Sequence, residues 1–453
     1  MLNKKTLVKI AFSLIILLDI SQNVHAQEKI NYLELGVTQL KSGNLGDAIK
    51  SFNIEIENNI ANQNPVVFYH RGTAKFNFKD YKGAILDFDK AIDLKPFYFE
   101  AFFSRGQIYS LLENHTLAIA DYNEAIRLNP LDPLFYYFKG ISKMRLQNFR
   151  GSLSDFNKCL ELSSDYAPAL AARGESKYKL NDYKSSIDDF DKAINNSPNR
   201  SRAGYYALRA SSKIKLNEFA SAINDYTEAI KLSPGNSDYW YFLGYCKTQL
   251  ENFSGENGAL GDFNKALEIS PKKIEALYGK AFAKNKLGDS RGAVEDYSQA
   301  LDLDHNKHVK LVYDKKISKN VLDDLRKDVE DKIKMAEFSS ERSEIYFNRG
   351  ASHYKSGNSK QAIVDFDKTL YLHPANSDAY YLRGMVKSAL GDQRNAILDF
   401  SNAIKLNPKY SEAYFVRGII KLALGDNSGC LDLSTSGELG YNRAYQVIRD
   451  FCD

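Results

Sequence analysis

The chain has 453 residues, with 61 Lys and Arg against 57 Asp and Glu and a net charge of +4. That length exceeds the roughly 100–200 residues of one ordinary core, while 43% hydrophobic and 26% charged residues is the balance of a soluble protein. A charge so near balance argues against nucleic-acid binding, which needs a concentrated basic stripe.

Lys4 and Lys5 precede an apolar run over residues 7–18, and Val24-His25-Ala26 offers a small-residue cleavage site before Gln27. This three-part layout predicts a secretory signal peptide over residues 1–26. The run is short for a bilayer span and is broken by Lys9 and bounded by Asp19, which disfavours an uncleaved anchor. No Cys follows closely enough for a bacterial lipoprotein, and no other stretch is long enough to span a bilayer. Without residues 1–26 the chain loses three Lys and one Asp, leaving 58 basic and 56 acidic residues.

From there one pattern recurs. The stretch over residues 68–96 sets it, and Gly72 returns as Gly106, Gly140 and Gly174, each 34 residues on. The column continues as Ala210, Gly244, Ala281, Gly350, Gly384 and Gly418, with Gly36 ahead of it. Ala84, Phe88, Ala91 and Pro96 open further columns in step. Each repeat reads as two helices, here over 66–78 and 82–94, with the turn at Lys79-Asp80-Tyr81 and Pro96 stopping the second. Phe68, Gly72 and Lys75 share one helix face.

In chain order, repeats one to eight occupy residues 27–303. The first lacks the final Pro, and two extra residues separate the fifth from the sixth. The seventh carries Trp240 and three extra residues near 254–258, predicting a longer turn. The eighth has His305 where Pro is expected. Residues 304–342 carry no small-residue column, but Val321, Leu325, Val329 and Ile333 recur at i+4. They are predicted to be a divergent helical hairpin or insert filling one repeat slot. Repeats nine and ten return over 343–410, and residues 411–453 read as a degenerate last repeat and C-terminal cap. Cys159 and Cys246 fall in small-residue columns as packing residues. Cys430 and Cys452 lie together in the cap, as a candidate disulfide or two free thiols.

Two more columns bear on function. Arg71, Arg105, Arg173, Arg209, Arg349, Arg383 and Arg417 precede the small column, with Lys139 and Lys280 as variants. Asp87, Asp121, Asp155, Asp189, Asp225, Asp262, Asp296, Asp365 and Asp399 precede the second-helix aromatic. Opposite charges at fixed positions predict a ladder of ion pairs between helices. The alternative is a basic face with arginines available to acidic ligands. One step past Phe68 runs an aromatic column: Tyr69, Phe103, Tyr137, Tyr241, Tyr278, Phe347, Tyr381 and Phe415. These are the candidate ligand contacts, and packing between adjacent first helices is their structural alternative.

A period of 34 with small, small, aromatic, small and Pro columns resembles the tetratricopeptide repeat over nearly all of residues 30–445. The resemblance implies an all-α fold, a right-handed superhelical α-solenoid of antiparallel helix pairs. It also implies a non-catalytic scaffold whose first helices line a groove for a protein or peptide, with the aromatic column facing that groove. One subset of the family clamps C-terminal carboxylates, with Lys at the column of Tyr69 and Phe103 and Asn one residue after the Gly. This chain has Thr73, Gln107, Ile141 and Glu175 there, so that mode is not implied. The tail resembles the closing segment of exported bacterial repeat proteins. With the signal peptide, it leads us to expect a periplasmic or secreted protein of a Gram-negative bacterium. A glycan- or peptidoglycan-binding envelope protein, stacking sugars on the aromatics, is the alternative.

No zincin motif, nucleophile elbow, phosphate loop or dinucleotide fingerprint is present. His305 and His308 are spaced for one helix face, but no further ligand joins them. No cofactor, metal or catalytic residue is expected, and no oligomeric state is indicated.

Overall fold

A computed structural model describes residues 31–60, 63–255, 257–313 and 342–452, without the side chains of 199–201 and 305–313. The expected signal peptide and the apolar stripe from Val321 to Ile333 lie outside the described residues. The chain divides into two compact halves, residues 1–197 and 198–453. No strand occurs among the described residues of either, and both are all-α solenoids of helix pairs.

The first half runs Tyr32–Lys41 and Leu45–Asn58, Pro65–Asn77 and Tyr81–Leu94, Phe99–Leu111 and His115–Leu128, Pro133–Arg145 and Phe149–Leu162, then Ala167–Lys179 and Tyr183–Asn195. The second half runs Asn199–Lys215 and Phe219–Leu232, Ser237–Gln249 and Ala259–Ile269, then Ile274–Lys286 and Ser290–Tyr313. It resumes with 342–355 and Ser359–Leu372, Ser377–Ala389 and Gln393–Leu406, then Ser411–Ala423 and Gly429–Glu438, and closes with Arg443–Phe451.

The turns inside the repeats explain these boundaries. After each first helix one residue adopts a left-handed backbone. It is Gly43, Gly288, Gly357, Gly391 or Gly425 in some repeats, but Lys79, Glu113, Gln147, Asn181, Asn217 or Glu251 in others. In several repeats the next residue caps the second helix: the Asp80 carboxylate accepts from Gly83 N at 3.0 Å, and the Asn148 amide oxygen from Gly151 N at 2.9 Å. In repeat seven the extra residues replace the first turn of the second helix, which starts only at Ala259.

Close approach sets the core. Ala84, Ala118, Ala222 and Ala396 are fully buried, as are Phe88, Tyr122, Phe156 and Phe400. A Cβ on Gly140 would stand 2.6 Å from the Phe156 ring, so the first helix lies directly on the second-helix aromatic.

The charged columns then tie repeats together. Arg105 donates from Nε and Nη2 to the two Asp121 oxygens at 2.9 and 2.7 Å, while its Nη1 reaches back to Asp89 at 2.5 Å. Arg71, Arg173, Arg209, Arg349 and Arg383 clasp Asp87, Asp189, Asp225, Asp365 and Asp399 by the same fork. Lys139 and Lys280 pair with Asp155 and Asp296 at 2.9 and 3.4 Å. A second cation one turn on completes most sites, as Lys75 does on Asp87 and Lys177 on Asp189. The backward arm recurs from Arg71 to Asn53, Arg173 to Asn157, Arg383 to Asp367 and Arg417 to Ser401.

That arm locates repeat nine. Arg349 Nη1 donates to Ser298 Oγ in the second helix of repeat eight, at 3.2 Å. Ile345 joins Ala281, Ala293, Tyr297 and Leu301 in one core cluster, and Arg342 pairs with Asp304. These are the contacts a first helix makes with the repeat before it. Repeat nine therefore follows repeat eight directly. The expected divergent hairpin or insert over residues 304–342 falls mostly outside the described residues. With His305 in place of Pro, the second helix of repeat eight has no stop and runs on to Tyr313.

In the last repeat Arg417 clasps Asp432, 15 rather than 16 residues on, and fully buried Leu433 takes the aromatic's place. Cys430 and Cys452 are joined by a disulfide that ties the last helix to the final repeat. Closing a loop of 22 residues stabilises by about 3 kcal/mol in the chain-entropy account.

The left-handed position gives a test. Lys79→Gly and Gln147→Gly are each expected to raise stability by ~1 kcal/mol, and Gly391→Ala to lower it by a similar amount. No atom stands near the added Cβ at Gly391, so urea denaturation would read backbone strain alone. Equal midpoints for all three variants and the parent would contradict it.

Repeat seven gives a second. Leu243 stands where repeats two to six and eight to eleven carry Arg or Lys, so among the described residues buried Asp262 is paired only with Lys247, at 2.7 Å. Burial raises the Asp262 pKa from 3.8 to about 6, against the opposing pull of Lys247. The folded state thus holds this proton more tightly than the unfolded chain. Its stabilising contribution is full below pH 4 and is lost as pH rises through 6. Each tenfold gain in proton affinity on folding is worth ~1.4 kcal/mol. In Asp262→Asn that loss disappears, so stability relative to the parent should climb by roughly 2 kcal/mol between pH 4 and pH 7. Urea midpoints across that range would show it. A difference independent of pH would refute the raised carboxyl.

Candidate functional site

The eight aromatics singled out in the sequence all lie on first helices, and all eight are half-buried. Seven pack on the buried ring of their own second helix. Tyr69 meets Phe88 at 5.8 Å, Tyr137 meets Phe156 at 6.2 Å, and Phe347 meets Phe366 at 6.0 Å. Phe103, Tyr241, Tyr278 and Tyr381 pack likewise on Tyr122, Phe263, Tyr297 and Phe400. Many also touch an aromatic at the entry to the following helix. Tyr69 meets Tyr98 at 5.0 Å, Phe103 meets Phe135 at 4.8 Å, Tyr381 meets Tyr410 at 4.9 Å and Phe415 meets Tyr441 at 4.7 Å. The Tyr278 hydroxyl donates to Glu344 and accepts from Asn348 Nδ2, which docks repeat nine. The column is therefore an aromatic seam between successive repeats, and its rings keep part of their surface exposed.

The arginine column is not open to acidic ligands. Each clasped carboxylate is buried, from 1% exposed at Asp189 to 5% at Asp121 and Asp432. Taking such a guanidinium for a ligand would strip a buried carboxylate of its forked partner.

A gap in the aromatic column matters more than its members. Repeat six carries Gly204 and Ala207 where repeat three carries Glu100 and Phe103. There a pocket of about 290 Å³ opens, walled by Leu208, Tyr226, Tyr239 and Phe242 with Asp238 at the rim. Phe242 is 36% exposed and stacks on Tyr226 at 5.6 Å and 11°. Ser211 Oγ lies 3.1 Å from the Tyr226 hydroxyl. Sequence reasoning from the filled positions misses this site. The aromatic column is interrupted twice, at Ala171 and Ala207, and the pocket lies at the second break.

Cys159 and Cys246 are buried free thiols, and burial pushes their pKa values up to about 11 and about 12, so they stay protonated. The His305 and His308 side chains lie outside the described residues. Among the described residues, no three His, Cys, Asp or Glu come together as metal ligands, and no helix is long and apolar enough to cross a membrane.

Family models described as tetratricopeptide repeat match residues 99–131, 208–273 and 377–410. Tetratricopeptide repeat protein 36 of Danio rerio is 40% identical over 58 residues, which is 12% of this chain and 31% of that relative. The crystal structure of YrrB, described as a TPR protein with an unusual peptide-binding site, is 21% identical with a TM-score of 0.36, covering 42% of this chain and 96% of its own. The C-terminal part of a TPR repeat-containing protein from Cytophaga hutchinsonii is 18% identical with a TM-score of 0.46, covering 55% of this chain and 98% of its own. The matched segments fall in three separate stretches of one helix-pair pattern that runs through both halves, so the chain carries tetratricopeptide repeats.

Proposed function

We propose that this protein is a non-catalytic interaction scaffold of the bacterial cell envelope, periplasmic or secreted, that holds a protein or peptide partner along its first-helix faces. One observation carries the reading: the two columns that could meet a ligand are used differently. The arginines are locked on buried carboxylates, whereas the aromatic seam and the pocket beside Ala207 leave apolar surface exposed on the first helices. Surface of that kind suits amphipathic protein segments. The seam rings also turn toward neighbouring rings, which leaves little flat face for a sugar to stack on. That favours a protein partner over a glycan.

The envelope assignment rests on the residue pattern over 1–26 and on the Cys430–Cys452 bond, which persists in oxidising compartments. Both parts can be tested together. The chain is recovered from the periplasmic fraction of its host, its N terminus is read by mass spectrometry, and it is titrated with an array of envelope-protein peptides and with soluble peptidoglycan fragments. We expect Gln27 first, saturable peptide binding and no saturable fragment binding. Fragment binding without peptide binding would replace the scaffold with a glycan-binding role, and a cytoplasmic chain retaining Met1 would overturn the location.

A further inference from the structure

We infer that the pocket in repeats six and seven is an acceptor for one aromatic side chain of a partner, seated over Tyr226 where the chain omits a ring of its own. The inference deepens the scaffold reading and rests on it.

Repeat three shows the filled form of the same site. There Phe103 packs on Tyr122 at 5.8 Å, Phe138 of the next repeat packs on Tyr122 at 6.3 Å, and Phe103 meets Phe138 edge-on at 5.4 Å. Three rings close the space. In repeat six the buried ring remains as Tyr226 and the neighbour's ring as Phe242. The third is missing, because Ala207 stands at the position of Phe103. Gly204, in place of Glu100, has no atom within 4 Å of where its Cβ would be. The cavity is thus the imprint of an absent aromatic residue, between two rings that already hold the geometry such a residue needs.

The rim agrees in charge. The Asp238 carboxylate at the mouth of the pocket is paired with Lys273, so that charge is compensated and the lining fits a neutral ring better than a cation. Tyr239 and Phe242 wall the pocket on the side of repeat seven. A ring entering there would bury apolar surface on three sides, and edge and face contacts with Tyr226 and Phe242 would add to it.

The test uses the full chain, indole as the probe, and ligand-observed NMR. We expect indole to bind the parent at millimolar concentration or better. Ala207→Phe supplies the missing ring from within and should weaken indole binding at least tenfold while keeping the melting temperature. Should that variant fail to fold, Phe242→Ala removes a wall instead and should weaken binding by a similar factor. No binding to the parent, or equal binding to parent and variants, overturns the pocket. A peptide library selected on the parent is the second arm. Selected peptides should share an aromatic residue and lose at least tenfold in affinity for Ala207→Phe. Peptides that bind both forms equally would leave the scaffold reading standing and remove this site from it. Indole that responds to Ala207→Phe, with no peptide selected, would keep the pocket and overturn the scaffold.

Discussion

A carboxylate buried in a helical core is the constraint on which this structure depends. Asp87, Asp121, Asp189, Asp225, Asp365 and Asp399 are each 5% exposed or less, and an isolated charge at such a depth is prohibitively unfavourable. The guanidinium fork answers it with two parallel hydrogen bonds from the facing helix. Because the third nitrogen of most of these arginines reaches the preceding repeat, the interaction that satisfies one repeat also registers it against its neighbour. In a linear array each repeat meets only the next, so this contact recurs at the place where the fold has least redundancy. The same economy decides what is left for function. Cations bound to the interior cannot serve a ligand, and recognition falls to the aromatic and aliphatic surface of the first helices.

Departures from the ladder are informative. The first repeat has Ser51 at the carboxylate position, hydrogen-bonded to Gln39 at 2.7 Å, so the chain enters its array with a neutral version of the site. Repeat seven keeps the carboxylate and drops the arginine, and Asp262 is left with one ammonium partner. In repeat three, Tyr109 stands where other repeats supply a second cation, and burial raises the Asp121 pKa despite the bonds from Arg105.

The period, the helix pairs and the two charged columns are legible in the sequence because each is a residue type repeated at a fixed spacing. What stays hidden is of other kinds. Spacing places Lys75 on one face with Phe68 and Gly72, but its second grip on Asp87 depends on a helix-to-helix distance that spacing does not carry. Asp432 escapes the column because one residue is lost from the turn before it, which shifts the pair from 16 to 15 residues apart. A repeat slot over residues 304–342 follows from counting periods. Contacts such as Arg349 with Ser298, which set repeat nine on repeat eight, leave no trace in such a count. The aromatic column points to its members, although the open site lies at Ala207, one of its two interruptions, the other being Ala171.

The most direct test of the ladder is a double-mutant cycle on Arg105 and Asp121, followed by urea denaturation. If the pair holds the repeats as argued, Arg105→Ala alone should destabilise by ~3–5 kcal/mol. The same change in an Asp121→Ala background should be far milder, giving a coupling of at least ~2 kcal/mol. A coupling below ~0.5 kcal/mol would place the pair among ordinary exposed salt bridges and contradict the account.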